Sequence, residues 1–391
     1  MSSGSARMGP AGDTLWVDEP GALAELCRRL ADARRLALDT EANGFHAYRP
    51  RLCLVQVAWE ENGRARVALA DPLALEGQLD PLRERLQSER QEKIVHGADY
   101  DVRLLKRDGE IALKALFDTE LGARLLGYER TGLSHLAEHI SGVRLSKSGR
   151  RTDWARRPLS SAARRYAADD ALVLFAIRDE IGVALHRAGR EQWAEEEFRR
   201  LEEVEPDTSA PPDARAVVDS LPGCRALDPE ARAVLLTLVE WRERVARSAD
   251  RPPGFVLPNR VLVDLARRGP ESMSALRATA LARPLVGRYG AGILQAVSEG
   301  RSSPPLERSK SSEGRAARPD RPTAAAIGRL KQRRNARARA IGIDPGVLCA
   351  GEVLKTMVQD RPDDLEGLVR AGMRRWQAEV VGGDLLDELA D

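Results

Sequence analysis

Two acidic residues on one face of a predicted buried strand constrain the fold of this chain more than any other feature. The apolar run Leu36-Ala37-Leu38 leads directly into Asp39-Thr40-Glu41. Side chains two residues apart in a strand point to the same face, so Asp39 and Glu41 should converge. Unpaired buried carboxylates are costly, and such a pair therefore indicates a bound metal ion. The alternative is a strand that ends at Asp39 and leaves both acids in solvent.

A further acidic residue follows a predicted strand, turn and helix. Ile94-Val95 is typical of a short buried strand, Gly97 of the turn, and the next residues of an amphipathic helix. Asp101 would lie on the first turn of that helix, at the end of the sheet, where sites of α/β folds gather. Asp99 is predicted to cap the helix, and Asp101 to bind metal.

A tyrosine and an aspartate share one face of a later predicted helix, which extends from Ser160 to Arg187. Tyr166 and Asp170 are four residues apart, so their side chains lie one above the other and can hold a water molecule between them. Asp169 is the competing candidate, and the four-residue spacing favours Asp170.

These motifs, in this order, resemble those of the DEDDy branch of the 3′-to-5′ exonuclease superfamily. The likeness to the ribonuclease D family covers nearly all of residues 34–190 and includes Leu54-Val55-Gln56-Val57, Asp118-Thr119 and the run from Lys147 to Leu159. The resemblance implies an α/β ribonuclease-H-like catalytic domain, with a mixed sheet flanked by helices, followed by two all-α HRDC domains.

The resemblance also implies the chemistry of the site. Two divalent ions would be held by Asp39, Glu41, Asp101 and Asp170, and Tyr166 would position the attacking water. Oxygen ligands of this kind suit Mg²⁺ or Mn²⁺. The implied activity is hydrolysis of RNA from a free 3′ end to nucleoside 5′-monophosphates, and the implied substrates are tRNA precursors and other stable RNAs.

Polar and aromatic residues close to these motifs are candidates for binding the terminal nucleotides, because unpaired bases stack on aromatic faces. Aromatic residues make up only 4% of the chain, so their placement here is suggestive. Phe45 and Trp154 could equally belong to the core. The predicted substrate-binding residues are Phe45, His46, Tyr48, Gln56, His96, Trp154 and Arg157.

Other patterns carry less weight. The segment from His135 to His139 matches the H-x-x-E-H pattern of inverted zinc proteases, but no third ligand is evident, and we interpret it as a structural helix. The four cysteines are isolated and are interpreted as reduced core thiols. The chain has no G-x-x-x-x-G-K-[ST] phosphate loop, which leaves P-loop ATP hydrolysis without support.

The length of 391 residues, with 42% hydrophobic and 31% charged residues, predicts two or three domains. A weak repeat in the second half supports two copies of one small helical domain, because several positions recur 92 residues later, among them Leu262 as Leu354 and Leu276 as Leu368. The predicted segments are a disordered tail at 1–14, an exonuclease domain at 15–205, a linker at 206–224, an HRDC domain at 225–302, a basic linker at 303–321 and an HRDC-like domain at 322–391.

Basic residues are concentrated in one region, although the net charge is only +2. Residues 301–340 contain 12 Lys or Arg and 3 Asp or Glu. This stretch could form a phosphate-contacting helix face, or it could reflect a chain in which arginine is the usual basic residue. The arginines of the predicted face are Arg329, Arg333, Arg334, Arg337 and Arg339.

The chain start lacks an apolar leader and no stretch approaches the roughly 20 apolar residues of a membrane helix, so we expect no membrane partner, a cytoplasmic location and a monomer. RNA with a free 3′ end is the expected partner. Two alternatives remain: an exonuclease that prefers DNA, and a nucleic-acid-binding adaptor whose catalytic site has decayed.

Overall fold

The computed structural model describes residues 14–146, 149, 152–206, 213–307 and 320–390. These residues form two compact units. Unit 1 contains the described residues of 1–42, 51–207 and 318–391, and unit 2 those of 43–50 and 208–317. The second helical copy therefore belongs to the same unit as the exonuclease domain. Except for Thr14, the predicted tail lies outside the described residues, as does most of the predicted basic linker.

A six-stranded mixed sheet forms the centre of unit 1, with the strand order β1-β4-β3-β2-β5-β6. The third strand is antiparallel to both of its neighbours, and the other pairs are parallel. Its first eight residues are all buried, as expected for a strand covered on both faces. The strands are β1 (Thr14–Val17), β2 (Arg35–Ala42), β3 (Leu52–Glu61), β4 (Arg64–Ala70), β5 (Glu92–Val95) and β6 (Leu116–Asp118).

Helices cover both faces of this sheet, which confirms the predicted fold class. Alternation along β2 separates two apolar cores: Leu36 and Leu38 belong to one, and Ala37 belongs to the other. The helices of this part are α1 (Pro20–Leu30), α2 (Asp80–Leu86), α3 (Asp99–Gly109), α4 (Thr119–Leu125), α5 (Leu133–Leu136), which continues as a π-helix over Ala137–Ser141, α6 (Ser161–Leu172), α7 (Leu174–Ala188) and α8 (Glu191–Glu202).

The turn between β5 and α3 is held by a buried aspartate rather than by the residue predicted to cap the helix. Asp118 accepts hydrogen bonds from the backbone N–H groups of Gly97 and Ala98, at 2.9 Å each, and also caps α4. Asp99 makes no cap and pairs with Arg103 one turn later. The capping prediction for Asp99 was wrong because the helix begins at Asp99 itself and the N-cap position falls on Ala98.

Unit 2 is helical, and its first helix corrects one predicted boundary. Residues 214–220, placed in the linker at 206–224, form a helix whose Val218 is fully buried in the core of this unit. The Pro-rich composition before it obscured that short apolar segment. The helices of unit 2 are α9 (Ala214–Ser220), α10 (Pro229–Ser248), α11 (Pro253–Val256), α12 (Asn259–Arg268), α13 (Met273–Arg277) and α14 (Arg283–Arg301).

The second helical copy confirms the repeat, because each of its five helices begins 92 residues after its counterpart in the series α10 to α14. Leu262 and Leu354 are both fully buried, as are Leu276 and Leu368. The apolar core of the second copy is continuous with one core of the exonuclease domain. The helices of this copy are α15 (Arg321–Ile341), α16 (Pro345–Leu348), α17 (Gly351–Asp360), α18 (Leu365–Arg370) and α19 (Arg375–Ala390).

The five arginines of the predicted phosphate-contacting face do not share one side of α15. Arg329 and Arg333 pair with Glu388, and Arg337 donates to the carbonyl of Val380. The fourth, Arg334, donates to the carbonyl of Cys349, and Arg339 lines a cavity beside α4. Arg329, Arg333 and Arg337 thus form one row beside α19, whereas Arg334 and Arg339 contact other parts of unit 1, so the five arginines do not form one face.

Candidate active site

The acidic pair of β2 lies on the face of the sheet that α6 covers. Asp39 pairs across the sheet with Gln56, and Glu41 with Leu54. Small residues on α6 allow the helix to approach the sheet closely, because an alanine side chain adds little width. The buried alanines of α6 in this core are Ala163, Ala167, Ala168 and Ala171.

Helix α6 brings Tyr166 and Asp170 to the acidic pair. Asp170 is only 6% exposed, and after burial it is the first influence that raises the pKa of the Tyr166 hydroxyl. The electrostatic influence of Asp170 reaches both Asp39 and Glu41. Asp169 exerts no such influence on those two groups, so the geometry favours Asp170 as the member of the cluster.

The remaining carboxylate, Asp101, lies on the first turn of α3. It accepts a hydrogen bond from the hydroxyl of Thr40, the residue between the two acids of β2. Burial raises the pKa of Asp101 to about 6, and the bond from Thr40 opposes that shift. Thr40 was not predicted as a site residue, since alternation places it on the opposite face of the strand from Asp39 and Glu41.

Burial and mutual repulsion raise the pKa values of the acidic pair. The pKa of Glu41 rises to about 10, first through burial and then through Asp39, Asp170 and Asp101. The pKa of Asp39 is also well above its usual range, through burial and then through Asp101 and Asp170. The charged groups responsible are all carboxylates, so the cluster has the electrostatics of a cation site.

The donor set consists of carboxylate oxygens, which fits Mg²⁺ or Mn²⁺. In the part of the chain that the structure describes, no three His, Cys, Asp or Glu side chains are already arranged around one ion position. The structure thus brings the four acids into electrostatic contact without the convergence of a loaded site.

Arg157, predicted to bind substrate, has all of its guanidinium donors engaged by other protein groups. Its guanidinium pairs with Asp71 at 2.5 and 2.7 Å and donates to the carbonyls of Cys53, Trp154 and Arg156. An arginine has five N–H donors, and these contacts use all of them. The arrangement is structural and leaves no donor for a phosphate.

Two other predicted substrate residues are buried. Trp154 is 2% exposed, and its ring centroid lies 6.2 Å from that of Tyr166, which it supports from within the core. Gln56 is fully buried in the middle of β3. Neither can stack on a base, because a stacking platform must expose its face.

His96 is half-buried and has a defined tautomer. Its Nδ1 lies 2.9 Å from the hydroxyl of Thr119, which itself donates to the carbonyl of Val95. The single hydroxyl proton is thus committed, so Nδ1 must be the donor to Thr119. Burial also lowers the pKa of His96. If it touches RNA, it therefore does so as a neutral ring and a hydrogen-bond acceptor.

The segment that follows β2 belongs to unit 2 and carries the remaining candidates. Tyr48 is half-buried there, with its hydroxyl bonded to Glu243 and the guanidinium of Arg247 5.7 Å from its ring centroid. Phe45 is 69% exposed, and His46 is exposed as well. Phe45 is therefore the predicted aromatic residue whose face is free for stacking, whereas Tyr48 is engaged in packing.

The H-x-x-E-H segment has the contacts of a structural helix. Glu138 pairs with Arg144 at 2.8 Å, and the rings of His135 and His139 stack with centroids 5.9 Å apart. All four cysteines are unpaired as disulfides and buried. Within the described ranges, no helix is long and apolar enough to cross a lipid bilayer.

Comparisons with known proteins identify the domains of this chain. A family model described as 3′-5′ exonuclease matches residues 14–186, and the HRDC domain model matches residues 231–297 and 324–389. The two ranges that the HRDC model matches lie within the two helical copies.

Similarity to known proteins extends over almost the whole chain. Ribonuclease D of Xanthomonas oryzae pv. oryzae is 33% identical over 350 residues, which cover 88% of this chain and 92% of the relative. A crystal structure of a protein from Bifidobacterium adolescentis covers 97% of this chain and 98% of its own, with a TM-score of 0.82 and 22% identity. The crystal structure of Escherichia coli RNase D covers 96% and 98%, with a TM-score of 0.66 and 24% identity. With its ordered acidic motifs, its mixed sheet and two HRDC copies, this chain belongs to the ribonuclease D family of 3′-to-5′ exonucleases.

Proposed function

We propose that this protein is a metal-dependent 3′-to-5′ exoribonuclease that trims the 3′ ends of tRNA precursors and other stable RNAs. The observation that carries the proposal is the cluster of four carboxylates and one phenol, in which the charged neighbours that raise the pKa values of Asp39 and Glu41 are themselves acidic. The four carboxylates can all be ionised at once only when cations offset their mutual repulsion. The relatives named ribonuclease D support RNA as the substrate.

Asp39, Glu41, Asp101 and Asp170 would hold two divalent cations, which activate water and stabilise the leaving 3′ oxygen when bound. The Thr40 hydroxyl donates to one of the two oxygens of Asp101, so that bond can persist while the carboxylate holds a cation. Burial, followed by Asp170 and Glu41, raises the pKa of Tyr166. Its hydroxyl therefore stays protonated at neutral pH and acts as a donor that orients water or a phosphate oxygen, not as a base.

The direct test is degradation of a 5′-labelled single-stranded RNA with Mg²⁺ or Mn²⁺, beside a circular RNA of the same sequence and a DNA of the same sequence. The proposal predicts a ladder that shortens from the 3′ end, release of nucleoside 5′-monophosphates, and an intact circle. Chelation should stop the reaction. Faster hydrolysis of DNA would support the DNA-preferring alternative, and no hydrolysis of any linear strand would support a binding adaptor.

Metal binding should release protons near pH 7. In the metal-free protein Glu41 has a pKa of about 10 and holds a proton at neutral pH, whereas a metal ligand must be deprotonated. We expect at least one proton to be released per protein, measured by titration calorimetry with Mn²⁺ in two buffers of different ionisation enthalpy. Glu41→Gln should remove about one of these protons. A binding heat that does not depend on the buffer would contradict the raised pKa.

The same pKa gives the sign of the pH dependence of stability without metal. Because the folded-state pKa of Glu41 lies above its ordinary value, the folded protein binds more protons than the unfolded chain between about pH 4.5 and pH 10. The contribution of Glu41 to stability is thus fully present below that window and is lost as the pH rises through it. Saturating Mn²⁺, measured in the same thermal unfolding series, should weaken this dependence.

A further inference from the structure

Gln56 is a buried polar residue without a hydrogen-bonding partner. Its side chain is fully buried, and neither its amide nitrogen nor its amide oxygen has a partner among the described residues. Buried amides are normally satisfied, because leaving a donor or acceptor unpaired costs free energy. A leucine at this position would fill a similar volume without that cost, so stability alone does not account for a glutamine here.

The position of Gln56 relates it to the acidic cluster. It lies directly opposite Asp39 in the antiparallel pair of β2 and β3, so both side chains are on the same face of the sheet. The residues two away along β3, Leu54 and Ala58, belong to the core beneath α6, which confirms the direction of this face. Directly opposed side chains have Cβ atoms roughly 5 Å apart, which is within reach of a glutamine amide for a carboxylate.

Gln56 can act only through other protein groups. It is inaccessible to RNA, but its N–H donors suit an ionised carboxylate, which accepts hydrogen bonds. We propose that Gln56 is a positioning residue whose amide donates to Asp39 once divalent cations have bound, and thereby fixes the orientation of that ligand. The inference rests on the proposed metal dependence. It explains why a polar side chain that lowers stability occupies the core next to the site.

The decisive variant is Gln56→Leu in the full-length protein, studied without RNA. Removing two unsatisfied buried polar atoms should raise the Tm of the metal-free protein by roughly 2–4 °C. Losing the donor to Asp39 should weaken Mn²⁺ binding by about 10-fold, within the range for groups that orient metal ligands. Free Mn²⁺ measured by electron paramagnetic resonance reports this affinity independently of activity. Gln56→Met, which is unbranched and of similar length, repeats the test if the leucine does not fit.

Gln91 provides the matched control. It is also a buried glutamine of unit 1, at 6% exposure, but its amide donates to the carbonyls of Leu30 and Ala33 at 2.6 and 2.7 Å. Gln91→Leu should therefore lower the Tm and leave Mn²⁺ affinity unchanged. The inference thus predicts a higher Tm for Gln56→Leu and a lower Tm for Gln91→Leu. It predicts weaker Mn²⁺ binding for Gln56→Leu alone.

The outcomes separate the inference from the proposed function. Mn²⁺ binding by the wild type that is unchanged in Gln56→Leu and Gln56→Met would overturn the positioning role and leave the metal-dependent reaction intact. A fall in Tm for Gln56→Leu with unchanged Mn²⁺ affinity would show that the amide is satisfied within the core, and would also overturn it. Absence of Mn²⁺ binding by the wild type would overturn both.

Discussion

Replacing Asp170 with asparagine is expected to lower kcat for RNA hydrolysis by about 10³-fold, which corresponds to about 4 kcal/mol of lost transition-state stabilisation. Asp170 is almost completely buried and acts electrostatically on the Tyr166 hydroxyl and on both acids of β2. The substitution keeps the size of the side chain but removes one charged metal ligand. Single-turnover degradation of 5′-labelled RNA with Mg²⁺ measures the effect.

Asp169→Asn is the matched control for this prediction. The two aspartates are neighbours on α6, yet Asp169 is half-buried and does not influence the pKa of Asp39 or Glu41. Its replacement should change kcat by less than about 3-fold, because it removes no ligand. If Asp169→Asn proved the more damaging of the two, the assignment of the aspartate on this helix would have to be reversed.

Asp170→Asn should also stabilise the protein when no metal is bound. Asp170 raises the pKa values of Asp39 and Glu41, so removing its charge relieves repulsion between carboxylates. We expect a higher Tm for Asp170→Asn than for the wild type in chelator at pH 8, and a lower Tm than the wild type with saturating Mn²⁺. Such a reversal is typical of a site that gives up stability for function.

Local sequence rules predicted which of the acidic side chains share a face. Strand alternation placed Asp39 and Glu41 on one face, and helical spacing placed Tyr166 beside Asp170. Both rules depend only on residues two to four positions apart. A spacing of much longer range predicted the repeat of the helical copies, because apolar residues recur 92 positions apart.

The substrate-binding predictions depended on tertiary contacts that local rules cannot supply. Arg157 is engaged by Asp71, 86 positions earlier, and by Cys53, 104 positions earlier. Trp154 is buried because the chain folds it beneath α6, and nothing in its neighbours distinguishes that outcome from exposure. Proximity to a catalytic motif in the sequence is therefore weak evidence for contact with the substrate.

The packing of the second helical copy on the exonuclease domain was also hidden from the sequence. Trp376, at the start of α19, is 2% exposed and stacks on Trp193 of α8 with ring centroids 4.8 Å apart. Its indole N–H donates to Glu197 at 2.9 Å, and its backbone N–H donates to Glu196. A basic segment that had suggested a surface for RNA thus leads into a domain that shares a core with the catalytic sheet.

Trp376→Ala is accordingly expected to destabilise unit 1 by about 3–5 kcal/mol, the usual range for deletion of a buried tryptophan. It also leaves Glu197 with one hydrogen bond fewer in a half-buried setting. Because a chain of several domains need not unfold in one step, the measurement should follow a signal of the catalytic unit. Loss of hydrolysis of a short RNA during urea titration is such a signal, and its midpoint should fall by about 1–2 M.

Trp241→Ala, in unit 2, is the control that distinguishes destabilisation of unit 1 from destabilisation of the whole protein. Trp241 is buried to a similar degree, at 8% exposure, and packs edge-on against Tyr289 of the first helical copy. Its replacement should unfold unit 2 at lower urea and leave the midpoint for short-RNA hydrolysis nearly unchanged. An equal shift in both variants would mean that the two units unfold together. No shift in Trp376→Ala would mean that the second copy contributes little to the stability of the catalytic unit.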